Sequence, residues 1–180
     1  MILQILAGIL VLTLGAVYTA YLAAGRETMN AENFRDGSGY ETVALSHGTT
    51  AFRTYGPVSA PAIILVHGAT LSSLTYQDYA APFVAAGFRV VLYDQYGRGF
   101  SDRPRAPFSI DLMRAQLAEL MDHLEIERAH LYGLSLGGAI VTRFAAAHPN
   151  RVQTLGLQVP VIGGANVSRN VLLARLPLVG

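Results

Sequence analysis

The sequence predicts an α/β fold: a mostly parallel, doubly wound sheet, preceded by an apolar N-terminal helix. Three observations lead to it. From residue 42 onward, short apolar runs alternate with stretches of helical period. The run at 62–66 (AIILV) has no polar alternation, as in a strand buried on both faces. The unusual residues, at 67–68, 94–102 and 133–138, follow directly after predicted strands. Parallel sheets place their ligand sites at those strand ends.

The length of 180 residues predicts one domain behind the N-terminal helix. Residues 42–45 and 51–55 read as paired strands around the turn Ser46-His47-Gly48. Residues 62–66 form the third strand, introduced by Pro61. A helix over 76–86 ends at Gly87, and the fourth strand covers 88–93. Residues 109–124 form an amphipathic helix with Ser109 as N-cap and Leu112, Met113, Leu117, Leu120, Met121 and Leu124 on one face. A strand at 128–132, a helix at 136–147 and a sixth strand at 152–159 complete the reading. The domain boundaries follow: 1–25 anchor or signal segment, 26–41 polar linker, 42–160 core, 161–180 a further apolar segment.

Residues 2–24 carry no formal charge. A helix of that length is about 34 Å long, enough for a hydrocarbon core of ~30 Å. The segment is therefore expected to be a single-pass membrane anchor. Arg26 and Arg35 on its C-terminal side tilt the rest of the chain toward the cytoplasm. The rival reading is a signal peptide cleaved before Arg26, with Ala23 and Gly25 as the small residues and a secreted or periplasmic product. No basic stretch precedes the apolar run, which argues against it.

Composition excludes several classes. The net charge of +1 gives no electrostatic case for a nucleic-acid partner. With no Cys there are no disulfides, thiolate metal sites or Cys nucleophile. The His and acidic residues show no metal-ligand spacing, so no metal and no cofactor are expected.

Gly133-Leu134-Ser135-Leu136-Gly137 matches G-x-S-x-G. In a chain of this Gly and Ser content the pattern alone arises by chance about once in ten sequences. Here it lies between an apolar strand and a small-residue helix, the setting of a nucleophile elbow. The turn is so tight that glycines must stand two before and two after the Ser. The hydroxyl is then held at a helix N-terminus, where partial positive charge favours a developing anion. The G-x-G-x-x-G fingerprint and the P-loop Lys are both absent.

With this elbow, His67-Gly68 after the third strand, and Asp94 to Asp102 (DQYGRGFSD) after the fourth, the chain resembles the α/β-hydrolase family over residues 42 to 160. It is similar to its esterases, C–C bond hydrolases and cofactor-free haloperoxidases. The resemblance implies that Ser135 is the nucleophile and that the backbone N–H groups of Leu136 and Ala69 form the oxyanion hole. It implies that His67 shapes the oxyanion loop, that His148 is structural, and that Asp94, Arg98 and Asp102 hold the loop after the fourth strand. The substrate expected is a small, apolar acyl compound such as an ester, with a C–C bond hydrolase as a variant.

The family's acid and His follow the nucleophile in sequence. After Ser135 this chain has only His148 and no Asp or Glu. The expectation is therefore a fold cut short after about the sixth strand, with 161–180 as the start of a lid and little activity in the chain itself. A non-catalytic, membrane-anchored binding module is the alternative.

Overall fold

A computed structural model describes residues 2–27 and 38–160. It divides into two units, Met1–Tyr40 and Glu41–Gly180. The expected lid start, 161–180, and most of the expected linker lie outside the described residues.

The first unit contributes one helix, α1 (Ile2–Glu27). Its Leu6, Ile9, Leu10, Val11, Leu12, Leu14 and Val17 are exposed. Thr13 Oγ donates to Ile9 O at 2.8 Å and Thr19 Oγ to Ala16 O at 2.9 Å, so both hydroxyls are satisfied within the helix. Among the described residues no helix is long and apolar enough to cross a membrane. The expectation of a membrane span over 2–24 is thus carried no further than a helix.

The second unit is built on six described strands: β1 (Glu41–Leu45), β2 (Gly48–Tyr55), β3 (Ala62–Val66), β4 (Arg89–Tyr93), β5 (Ala129–Leu134) and β6 (Val152–Gln158). Their order is β1-β2-β4-β3-β5-β6. β2 is antiparallel to both neighbours, and the β4-β3-β5-β6 pairs are parallel. Three helices connect the parallel strands: α2 (Gln77–Ala85), α3 (Ile110–His123) and α4 (Leu136–Ala147).

Side chains alternate across the sheet. Ile63, Leu65, Val90 and Leu92 pack with Tyr76 and Ala80 on the α2 face. Ile64, Val66, Val91, Tyr93 and Leu131 pack with Met113, Leu117, Ile140 and Phe144 on the α3–α4 face. Burial on both faces is why β3 and β4 read as continuous apolar runs. The helices cover both faces, so the doubly wound expectation holds.

Several boundaries differ from the sequence reading; β5, for one, runs on to Leu134, two residues past its expected end. β2 begins at Gly48, not 51, after a two-residue turn that pairs Leu45 with Gly48. Thr50 hid this start: it is buried although polar, its hydroxyl accepting from Gln116 Nε2 at 2.9 Å. A one-turn 3₁₀ helix, Ser73–Tyr76, precedes α2.

α3 starts where expected. Ser109 Oγ accepts from the Leu112 N–H at 3.1 Å, satisfying one of the helix's orphan donors. The topology also fixes where a site belongs. β3 is flanked by β4 and β5, so the chain leaves β3 toward α2 on one face and β5 toward α4 on the other. The crevice beyond the carboxyl ends of β3 and β5 is the switch point of the sheet.

Candidate active site

Ser135 stands at that crevice, between β5 and α4, with φ 52° and ψ −112°. Left-handed backbone is costly for a residue with a Cβ and persists only where its surroundings impose it. They do so here. A Cβ on Gly133 would lie 2.5 Å from the Gly137 carbonyl carbon, and one on Gly137 would lie 2.0 Å from Val66 O. Gly138 passes close under Pro160. The Ser135 N–H donates to Gln158 O at 2.9 Å, tying the turn to the end of β6. Ser135 O accepts from the Ala139 N–H, the first backbone bond of α4, so the N–H groups of 136–138 belong to the orphan donors of the first turn.

The loop after β3 lies against this turn. A Cβ on Gly68 would be 3.6 Å from Ser135 Cβ and 3.7 Å from Leu134 O. Ala69 follows it and is partly exposed, as are Ser135 and Leu136. The structure thus brings the loop that leads into Ala69 against Leu134 and Ser135.

His67 is fully buried under this loop, and both ring nitrogens are engaged. Nδ1 meets Gly68 O at 2.8 Å, and a carbonyl requires that this nitrogen carry the proton. Nε2 then accepts from the Gln95 N–H at 3.0 Å, while Gln95 Nε2 donates to His67 O at 2.5 Å. Burial lowers the His67 pKa below its ordinary 6.5; Gly68 O and Asp94 oppose this, and Arg98 adds to it. A neutral imidazole with no free nitrogen has no capacity to act as a general base.

The other histidines are also placed away from Ser135 chemistry. His148 Nε2 accepts from Arg114 Nη1 at 3.1 Å. His130 Nδ1 pairs with Thr154 Oγ1, and the His123 ring stands edge-on to Phe52. His47 lies in the β1–β2 turn. Among the described residues no hydrogen bond joins a histidine to Ser135.

Asp94, Arg98 and Asp102 hold the β4 loop, as expected, and reach beyond it. Asp94 is fully buried and accepts the Ser73 N–H at 2.7 Å and the Phe100 N–H at 2.9 Å. Gly99 has φ +47°, and a Cβ there would lie 2.0 Å from the Asp94 carboxylate. Asp102 Oδ2 accepts the Thr49 N–H at 2.7 Å. Arg98 Nε donates to Ala69 O across to the β3 loop. Burial, and then Arg103, pull Arg98 below its ordinary value.

The sequence reading missed Gln95 and Gln116. Gln116 is buried, donating to Asp94 O at 3.0 Å and accepting from the Tyr96 N–H. A signal existed for it, a lone Gln among the buried face of α3 between Met113 and Leu117. A cavity of about 290 Å³ lies on the α2 face, between Tyr76, Tyr79, Phe83, Tyr132 and Leu134; Ser135 does not line it.

A family model described as alpha/beta hydrolase fold matches residues 61–175. An uncharacterized protein of Mycobacterium tuberculosis is 38% identical over 130 residues, 71% of this chain and 37% of that protein. The 2-hydroxy-6-oxo-6-phenylhexa-2,4-dienoate hydrolase of Comamonas testosteroni is 37% identical over 123 residues, 66% of this chain and 41% of that enzyme. The solved enol-lactonase of Burkholderia xenovorans LB400 superposes with a TM-score of 0.61 at 30% identity, over 64% of this chain and 45% of that one. The chain spans about two fifths of the length of the relatives it matches.

Proposed function

The chain belongs to the α/β-hydrolase family, and on that premise we propose that it is a serine hydrolase acting on an ester or related acyl compound through an acyl-enzyme at Ser135. The observation that carries this reading is the left-handed Ser135, held between Gly133 and Gly137 at the N-terminus of α4. That geometry lifts the hydroxyl to the sheet's switch point and points the first-turn dipole at it.

In this reading Ser135 Oγ attacks the acyl carbon, and the Leu136 and Ala69 N–H groups receive the oxyanion. The leaving group departs, and water attacks the acyl-enzyme to release the acid and restore Ser135. A base must take the Ser135 proton in the first step. None of the chain's five histidines is set to do so, and no base or acid partner is assigned among its 180 residues. The substrate is small and apolar, and no metal or cofactor enters. A C–C bond hydrolase on the same scaffold is the second reading, favoured by the likeness to the Comamonas dienoate hydrolase.

The same reading keeps α1 as a membrane anchor, with the catalytic unit on the cytoplasmic side. Its support is the uncharged run over 2–24, Arg26 and Arg35 behind it, and the internally satisfied hydroxyls of Thr13 and Thr19.

The test is labelling by a fluorophosphonate, with imidazole added as an external base. Ser135 Oγ displaces fluoride from phosphorus and imidazole takes the proton. Slow labelling that imidazole accelerates, and that Ser135→Ala abolishes, is the expected result. Absence of Ser135-dependent labelling at any imidazole concentration overturns the assignment.

A further inference from the structure

We infer that Arg98 is a positioning residue for the oxyanion donor at Ala69, which it holds through the Ala69 carbonyl. The inference rests on the reading of Ala69 N–H as that donor.

Two peptide planes meet at the Ala69 Cα, and each has its own clamp. The plane that carries the Ala69 N–H also carries Gly68 O, which accepts from His67 Nδ1 at 2.8 Å and from the Leu71 N–H at 3.4 Å. The next plane carries Ala69 O, which accepts from Arg98 Nε. With both planes held, the φ and ψ of Ala69 are fixed and its N–H has one direction. An oxyanion donor is effective only when it is aimed before the charge develops.

Arg98 is itself held firmly enough to serve. Its N–H donates to Gln95 O at 2.9 Å and its Nη1 to Gly97 O at 3.0 Å. Its guanidinium carbon lies 5.7 Å from the centre of the Phe108 ring. Beneath it, the Gly97 N–H donates to Asp102 O at 2.8 Å, and the Asp102 N–H donates to Thr49 O on β2 at 2.9 Å. The clamp on Ala69 O is thereby anchored in the sheet. A Lys at 98 would keep the charge but has no N–H where Nε stands, so it is no substitute here.

Phenylboronic acid gives a direct test on the full 180-residue chain. Ser135 Oγ adds to the trigonal boron, the O–B bond forms, the hydroxyl proton passes to solvent, and the tetrahedral boronate carries the negative charge. Backbone amide resonances of Ala69 and Leu136 report the two donors separately. In the unsubstituted chain both are expected to shift on titration, and neither in Ser135→Ala. In Arg98→Gln and Arg98→Lys the affinity is expected to fall about tenfold. The Ala69 response should be lost and the Leu136 response kept, a selectivity that general loss of structure would not give.

Arg98→Gln binding as the parent does, with the Ala69 shift intact, overturns the positioning role and leaves Ser135 chemistry standing. No Ser135-dependent shift at either amide in the parent removes the reading itself, and the inference with it. Should the variants fail to fold, the parent still decides. A scalar coupling between Arg98 Nε and the Ala69 carbonyl carbon is expected across the hydrogen bond, and its absence overturns the clamp.

Discussion

A methyl group at position 137 would lie 2.0 Å from Val66 O and 2.7 Å from His67 O, both backbone atoms that have nowhere to move. Gly137→Ala is therefore expected to cost about 3 kcal/mol, the upper end of overpacking, and to separate the β3 loop from the elbow. Urea denaturation at fixed pH measures the first effect. His67 makes a second residue-scale prediction. Its folded pKa lies below 6.5, so the unfolded chain binds the extra proton more readily. The stability it contributes is complete above pH 6.5. It is lost as pH falls from there toward the lower folded value, because protonated Nε2 would face the Gln95 N–H. Asp94 and Arg98 are the charged groups that act on it. His67→Gln should flatten the dependence of the urea midpoint on pH between 7.5 and 5; an unchanged slope would place the acid sensitivity elsewhere.

At the scale of elements, α3 depends on its cap. Ser109→Ala removes the acceptor of the Leu112 N–H and is expected to cost about 1 kcal/mol, while Ser109→Asp should be nearly neutral. Equal midpoints for the parent and the Ser109→Ala variant would show that packing alone starts the helix. The same scale separates what was legible in the sequence from what was not. β3 and β4 were plain because burial on both faces leaves an unbroken apolar run. α3 was plain because its apolar positions repeat with helical period behind a Ser. The elbow was legible because its glycine requirement is local, within five residues. The start of β2 was not, since Thr50 is buried by a hydrogen bond to Gln116, 66 residues away. Nor was the clamp on the β3 loop, whose bonds join residues 28 and 29 apart. Periodicity reports which side chains leave water; it carries no record of which polar groups meet once they have done so.

For the molecule as a whole, the division into Met1–Tyr40 and Glu41–Gly180 makes the two units separable by experiment. Among the described residues, the members of the core clusters lie between Val43 and Val152. Removal of residues 1–37 should therefore leave the urea midpoint of the sheet unit within about 0.5 kcal/mol of the parent, as for any change remote from a packed core. Localisation should respond differently. If α1 is an anchor, the parent chain stays with membranes through an alkaline carbonate wash and the shortened chain does not. Intact mass decides the rival reading of the same segment, since cleavage before Arg26 would remove residues 1–25 and leave a product that never sediments with membranes. A parent chain of full mass released by carbonate would sink both readings. The uncharged run over 2–24 would then need a protein partner rather than a bilayer to cover it.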